Sequence, residues 1–329
     1  MSSSTRATGK PVYRAPRQIG GQGAQEAGHT RRPGGSKRLR RRRDLVGYLF
    51  SGPALVILGV FVFFPAFYAL YMSFTDASGF NEPSFVGLDN YITAFTNADS
   101  LNAIWNTVLY AIVYAPLVII VALALAILLN RTDLFLRSFL RTTIFLPFII
   151  SMAVAALAYS FILDARTGIL AYWVSIFGFT LPDILNSSTW ALPAVIWVAV
   201  WKNFGYFMII FIGGLQTIPR DLYEAAEIDG ANAWRRFLSV TLPGLRPTMA
   251  YVVILAANGA FQAFDQIYVM TGGGPLRSTE TIVYRVYIDG FQNFRQGFAS
   301  ALSFILMAIT MVIGLIQLRI SRKQEKDLA

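Results

Sequence analysis

Of 329 residues, 55% are apolar and only 14% are charged, whereas an ordinary soluble domain carries about 25% charged residues; much of this surface does not face water. The absence of Cys excludes disulfide frameworks, thiolate zinc sites, iron–sulfur clusters and thiol nucleophiles together. The single imidazole, His29, lies in a stretch with no folding pattern, so no catalytic residue, cofactor or metal site is expected.

The net charge of +10 is concentrated at one end. Residues 1–43 hold 12 basic residues and one acidic residue, leaving 16 basic against 17 acidic for the rest. Residues 1–44 are rich in Gly, Ser, Pro and Arg and cannot bury enough apolar surface to offset their ordering entropy, which predicts a disordered basic cytoplasmic tail. The run Arg40 to Arg43 is read as a topology determinant that also attracts anionic membrane lipid, at roughly 1 kcal/mol per residue. No aromatic interleaving accompanies the charge, so nucleic acid is not expected as a partner.

Six apolar stretches follow, near 46–74, 105–129, 140–163, 190–215, 248–271 and 298–320. Each can cross about 30 Å of hydrocarbon as a helix rising 1.5 Å per residue, and none alternates like a barrel strand. The predicted fold class is all-α, a polytopic membrane protein with six core transmembrane helices over 45–320 and a cytoplasmic tail over 321–329. The first stretch is too long for a cleavable signal and lacks an A-x-A site, so it reads as a signal anchor. Pro53, Pro65, Pro116, Pro147 and Pro193 predict kinks or span ends.

Flanking charge sets the orientation. The arginines before the first stretch, against Asp76, Glu82, Asp89 and Asp99 with no Lys or Arg over 76–104, put both termini in the cytoplasm. Arg131, Arg137 and Arg141, then Arg220, Arg235, Arg236 and Arg246, then Arg319, Arg322, Lys323 and Lys326 fall on the same side. Arg277, Arg285 and Arg295 break the rule, opposed by Glu280 and Asp289; as external arginines they would suit an anionic ligand. Gly272-Gly273-Gly274-Pro275 predicts a tight external turn.

The fourth connection, 218–243, is far longer than the 2–8 residues usual between packed helices. It reads as two short helices around a break. Pro219 suits a first helical turn, Asp221, Glu224 and Glu227 lie toward the positive helix end, and Gly230 stands just past a helix terminus. A second helix from Ala231 presents Trp234, Phe237 and Leu238 on one side until Leu242-Pro243 stops it. Small Ala225 and Ala226 allow a partner backbone to come close, so the pair is shaped to sit in a groove.

Glu224-Ala225-Ala226, three residues, Gly230, nine residues and Val240-Thr241-Leu242-Pro243 resemble the EAA loop of the membrane subunits of bacterial ATP-binding-cassette importers, with Val240 where Ile is usual. Trp201-Lys202-Asn203-Phe204-Gly205-Tyr206, Gly213-Gly214-Leu215-Gln216-Thr217-Ile218-Pro219, Phe264-Asp265-Gln266-Ile267-Tyr268-Val269-Met270-Thr271-Gly272-Gly273-Gly274-Pro275 and Phe85-Val86-Gly87-Leu88-Asp89-Asn90-Tyr91 are similar to the carbohydrate branch, the maltose and glycerol-phosphate type permeases. The resemblance spans roughly 45–320. It implies a permease in the bacterial inner membrane whose loop docks on a cytoplasmic ATPase dimer, with Glu224 meeting a basic residue there and Ala225, Ala226, Gly230, Leu242 and Pro243 providing the fit. It further implies a homologous second permease and an extracytoplasmic solute-binding protein as partners. The sequence has no G-x-x-x-x-G-K-[ST] phosphate loop, so ATP hydrolysis is expected in a partner and not here.

For the cargo, Asn258, Phe261, Gln262 and Asp265 fall at i, i+3, i+4 and i+7, one face of a continuous helix. Lys202, Asn203 and Tyr206 lie in the preceding stretch, with Trp197 and Trp201 a turn apart. Amide, carboxylate and aromatic groups together suit a sugar or sugar-like substrate. Lys202 pairs either with Asp265 or with backbone carbonyls, and the stripe either lines a cavity or bonds other helices. The competing function is an ion-coupled secondary transporter, which would use buried carboxylate chains and an internal repeat; it leaves the long fourth connection without a job.

Overall fold

In the computed structural model of the chain, residues 50–79, 82–130 and 135–326 are described, the side chains as far as residue 320. The predicted basic tail over 1–44 lies outside them. Two compact units divide at Gly59 and Val60; of the first, the described residues belong to one apolar helix.

Helix α1, Phe50–Met72, is uniformly apolar and buries none of its length. A wide π turn over Gly59–Phe63 precedes Pro65. Proline has no N–H to return to the carbonyl four residues back, and such a turn is a common accommodation. The chain then passes through a short link in which Asn90 Nδ2 donates to the carbonyls of Ser73 (3.0 Å) and Thr75 (2.8 Å). Thr75 and Phe85 form an isolated antiparallel bridge, the only β pairing among the described residues. Helix α2 is Asp89–Thr96.

Helix α3, Ala98–Asn130, is started by Asn97, whose Oδ1 accepts from the N–H groups of Asp99 (2.9 Å) and Ser100 (3.2 Å). Its buried residues Ala103, Thr107, Tyr110, Tyr114, Val118, Ala122, Ala126 and Leu129 recur every three or four positions, a single stripe. Pro116 lies inside this helix without ending it. The stripe packs on α7, Ala191–Gln216, whose most apolar window is 61% buried. A helix buried on most faces is the centre of the bundle. Close approach is built in: a Cβ on Gly205 would lie 2.2 Å from the backbone oxygen of Ile144, and one on Gly214 would lie 2.4 Å from Thr248 Oγ1.

The single helix expected over 140–163 is instead two, α4 (Arg137–Ile149) and α5 (Met152–Ile162), bent by 96°. Ile150 is extended, and Ser151 starts α5 by accepting from the Val154 N–H (3.3 Å); Pro147 has already removed a donor from the last turn of α4. A short α6, Ile169–Ile176, follows. After α7 come α8 (Arg220–Ile228), α9 (Ala233–Gly244) and α10 (Arg246–Phe261), the last two bent by 72°. The expected span 248–271 is likewise interrupted. α10 ends at Phe261, Gln262 to Phe264 leave the helix, and α11 is Asp265–Met270. Finally α12, Ile282–Tyr287, leads to α13, Gln296–Lys326, which runs past the expected end at 320.

Four helices, α1, α3, α7 and α13 to Ile320, are long and apolar enough to cross a membrane singly; the bent pairs α4/α5 and α9/α10 bring the number to six when each is one span. The fold is an all-α polytopic membrane bundle.

Candidate functional site

The connection after α7 is a hook of two short helices. Pro219 stands one residue outside α8, in an extended conformation, and not in the first turn. At the other end Gly230 has φ +74°, donates to the Glu227 carbonyl (3.0 Å), and is followed by Ala231 donating to the Ala226 carbonyl (2.9 Å). These two bonds form a Schellman closure, for which glycine is the favoured left-handed residue. Asn232 then caps α9, its Oδ1 accepting from Arg235 N–H at 2.8 Å, so the second helix starts at Ala233, two residues later than expected. Nor do Leu242 and Pro243 stop it: a π turn over Phe237–Thr241 passes into a last turn ending at Gly244. That turn is placed before Pro243 as the one in α1 is before Pro65.

Two side-chain links brace the hook, Tyr223 Oη to Thr241 Oγ1 (3.1 Å) and Arg236 Nη1 to Glu227 Oε2 (3.2 Å). Nothing in α8 is buried. Leu222, Ile228 and Trp234 are 51%, 88% and 67% exposed, and Ala225 and Glu224 are exposed on the same element. Among the described ion pairs none involves Glu224. It borders a cavity of about 640 Å³ with Arg137, Arg141, Arg220 and Tyr223. Leu242 and Pro243 border a separate apolar groove with Leu238 and Met249.

Deeper in the bundle, a cavity of about 390 Å³ gathers Lys202, Asn203 and Tyr206 of α7, Gln262 and Asp265 beside the break after α10, and Tyr110 and Tyr114 of α3. Lys202 Nζ donates to the Phe148 carbonyl (3.4 Å) and sits 5.0 Å from the centroid of that residue's ring; the ring stacks on Tyr206 at 4.5 Å. Of the two pairings open for Lys202, the carbonyl is the one made. No described ion pair joins it to Asp265, although both border the cavity. Gln266 Nε2 donates to Tyr110 Oη (2.8 Å), fixing one wall.

The four-residue stripe is not one face. Because the helix ends at Phe261, Asn258 and Phe261 border a different groove against Met307 and Thr310 of α13, while Gln262 and Asp265 border the polar cavity. Gln262 Nε2 still donates to Asn258 Oδ1 (2.9 Å). Trp201 packs edge-on to Tyr159 at 5.0 Å, and Trp197 is not among the cavity's lining residues. Tyr110 and Tyr114 were not singled out in the sequence, their i, i+4 spacing in an apolar stretch being the only signal, and Gln266 appeared there only within the Phe264 to Pro275 motif.

The three arginines of the fifth connection are engaged within the chain. Arg285 Nε meets Asp289 Oδ2 at 2.6 Å and its Nη1 meets Glu280 Oε1 at 3.0 Å. Arg277 pairs with Asp99 and reaches Glu280 (3.7 Å), and Arg295 reaches Asp289 (3.7 Å). Burial alone would lower the Arg285 pKa, but hydrogen bonds and charge from Glu280 and Asp289 outweigh that and hold it above the ordinary value. Three cations against Asp99, Glu280 and Asp289 leave no excess charge, so the expectation that they favour an anionic ligand loses its basis.

Residues 119–326 match the family model described as "Binding-protein-dependent transport system inner membrane component". The chain belongs to this family. This inner membrane component is 37% identical over 282 residues to the sn-glycerol-3-phosphate transport system permease protein UgpA of Rhizobium meliloti (strain 1021), covering 85% of this chain and 96% of that one. It is 32% identical over 290 residues to the probable starch degradation products transport system permease protein AmyD of Thermoanaerobacterium thermosulfurigenes, covering 85% and 95%. Its fold matches, at a TM-score of 0.75 and 24% identity, a chain in the crystal structure of a bacterial alginate ABC transporter in complex with an alginate pentasaccharide-bound periplasmic protein, covering 86% of this chain and 96% of that one. The chain is thus a permease subunit of an ATP-binding-cassette importer, a multi-pass membrane protein and not an enzyme.

Proposed function

We propose that this permease forms half of the translocation pathway of a carbohydrate importer and takes its energy from a cytoplasmic ATPase dimer through the hook formed by α8 and α9. The observation that carries the coupling role is the hook itself. Its backbone is closed at both ends of the turn, while its apolar side chains and Glu224 face outward, as an element built to enter a groove on another protein would have them. Glu224 meets a basic residue of that groove; Ala225, Ala226 and Gly230 admit its backbone, and Leu242 and Pro243 set the angle at which the hook joins the bundle. The pathway side chains are Lys202, Asn203, Tyr206, Gln262 and Asp265, with Asn258 held to Gln262 and Phe261 behind it. Amides, a carboxylate, an ammonium and aromatic rings around a half-open cavity suit a hydroxyl-rich ring. Of the relatives' printed names, starch degradation products are such rings, and glycerol phosphate shares with them only the hydroxyl-rich character.

In this reading both termini and the hook lie in the cytoplasm of a bacterial cell, consistent with the flanking arginines. A homologous second permease completes the channel, and an extracytoplasmic solute-binding protein delivers the sugar. The test is Glu224→Lys in the complete transporter. The variant is expected to reach the membrane and keep its second permease, but to lose co-purifying ATPase and uptake together. Full uptake by this variant would refute the coupling role.

A further inference from the structure

We infer that a ladder of aromatic rings, Phe291, Tyr287, Tyr268 and Phe264, leads sugar rings from the α12–α13 connection into the polar cavity; this rests on the carbohydrate reading above. The rings form a continuous series. Phe291 stacks on Tyr287 at 5.7 Å, Tyr287 meets Tyr268 edge-on at 5.3 Å and lies tilted against Phe264 at 5.3 Å, and Tyr268 stacks on Phe264 at 5.5 Å. Phe264 itself lines the cavity beside Asp265 and Gln266, so the series ends where the polar groups begin.

Exposure separates these rings from the aromatics of the core. Tyr110 and Phe211 in the core are 1% and 0% exposed, whereas Phe291 is 71% and Tyr268 44% exposed, and Tyr287 and Phe264 are half-buried. Each ring offers the apolar face of a pyranose a platform, and the Tyr268 and Tyr287 hydroxyls bond each other and hold the two rings in register. Steps of this size are shorter than a hexose, so a sugar leaving one ring already touches the next.

The ladder is also held from behind. The Arg285–Asp289 pair (2.6 Å) flanks Tyr287 on its own segment, and the π turn Ile288–Gln292 carries Phe291 to the same side as Tyr287. Tyr284 Oη donates to the Gly272 carbonyl (2.7 Å), tying α12 to the turn that follows α11. Contiguous rings, two exposed and two half-buried, braced by neighbouring contacts are what a guide for a ring-shaped solute needs.

The test uses the complete transporter with its solute-binding protein in proteoliposomes, fed a mixture of malto-, cello-, xylo- and manno-oligosaccharides and the parent monosaccharides, with accumulated sugars read by mass spectrometry. For each sugar the wild type accumulates, Tyr268→Leu and Phe291→Leu are expected to lower uptake at subsaturating concentration roughly three- to tenfold, more for oligosaccharides than for monosaccharides. Tyr268→Phe and Phe291→Tyr, which keep a ring, are expected to stay within about twofold of wild type. Leu variants that transport as wild type would overturn the ladder and leave the carbohydrate reading intact. Leu variants that lose the second permease on purification would make the rings a subunit contact, also overturning it. A wild type that accumulates none of these sugars refutes the carbohydrate reading and the ladder with it.

Discussion

At Gly230 the backbone conformation can be perturbed without touching anything else. The residue has φ +74°, and a Cβ built there meets no atom within 4 Å. A substitution therefore acts through φ alone. For an ordinary L-residue the left-handed region costs about 1–2 kcal/mol, which lowers the population of the closed hook about 5- to 30-fold relative to its alternatives. Asparagine visits this region readily and costs a fraction of that. Proline is locked near φ −65° and also removes the N–H that bonds the Glu227 carbonyl, so the closure cannot form. Uptake and ATPase activity of the reconstituted transporter, at matched amounts of assembled complex, are expected to fall in the order Gly, Asn, Ala, Pro, with Gly230→Pro inactive. Docking contacts recover part of the cost, so the Ala effect is at most the figure given. Gly230→Asn as damaging as Gly230→Pro would mean that side-chain bulk at the docking surface matters and the turn does not; an active Gly230→Pro would mean that the hook carries no coupling.

Arg285→Met leaves Glu280 and Asp289, 5% and 0% exposed, without their main cation, and a broken buried pair costs about 3–5 kcal/mol. The purified transporter's thermal midpoint is expected to drop clearly for Arg285→Met but hardly for Arg277→Met, whose side chain is half exposed and belongs to the class worth up to about 1 kcal/mol; equal drops would contradict this. Gly205→Ala drives a methyl into the backbone of α4 and is expected to destabilise by about 1–3 kcal/mol, whereas Gly213→Ala, with open space at its Cβ, is expected to be neutral or slightly stabilising because alanine favours the helix. Thermal unfolding of the two variants side by side checks the contrast.

What could be read in advance follows the range of the interactions. Hydropathy over about 20 residues located the apolar stretches because it sums many small transfer terms, and the Gly230 closure was legible because a cap is decided within six residues. The break at Ser151 had a local signal too, a serine three residues before the N–H it accepts from, but an average over a window erases it. The break at Gln262 to Phe264 had only a weak one, the Asn258-Gly259 pair in the last turn before it. Phe264 sits at φ −137°, ψ −60° through its tertiary surroundings, and the supposed face Asn258 to Asp265 fell with that assumption. Asp99 could not be matched to Arg277 and Arg285 from spacing, because the partners lie more than 170 residues apart. Arg285 and Asp289, at i and i+4, could have been.

The two breaks border one cavity. Phe148 and Met152 on either side of the first break border the same polar cavity as Gln262, Ala263 and Phe264 in the second. Within a membrane, irregular backbone is tolerated only where protein or a cavity can satisfy it. The first break also explains the ammonium inside the bundle. The last carbonyls of α4 have no partner within the helix and carry the negative end of its dipole, and Lys202 takes the one at Phe148. Asp265 stands in the first turn of α11, where the field has the opposite sign. Each of the two charges bordering the cavity is thus set against a backbone terminus, and the two attract each other across it. The pocket keeps strong hydrogen-bonding groups of both signs without a large net field.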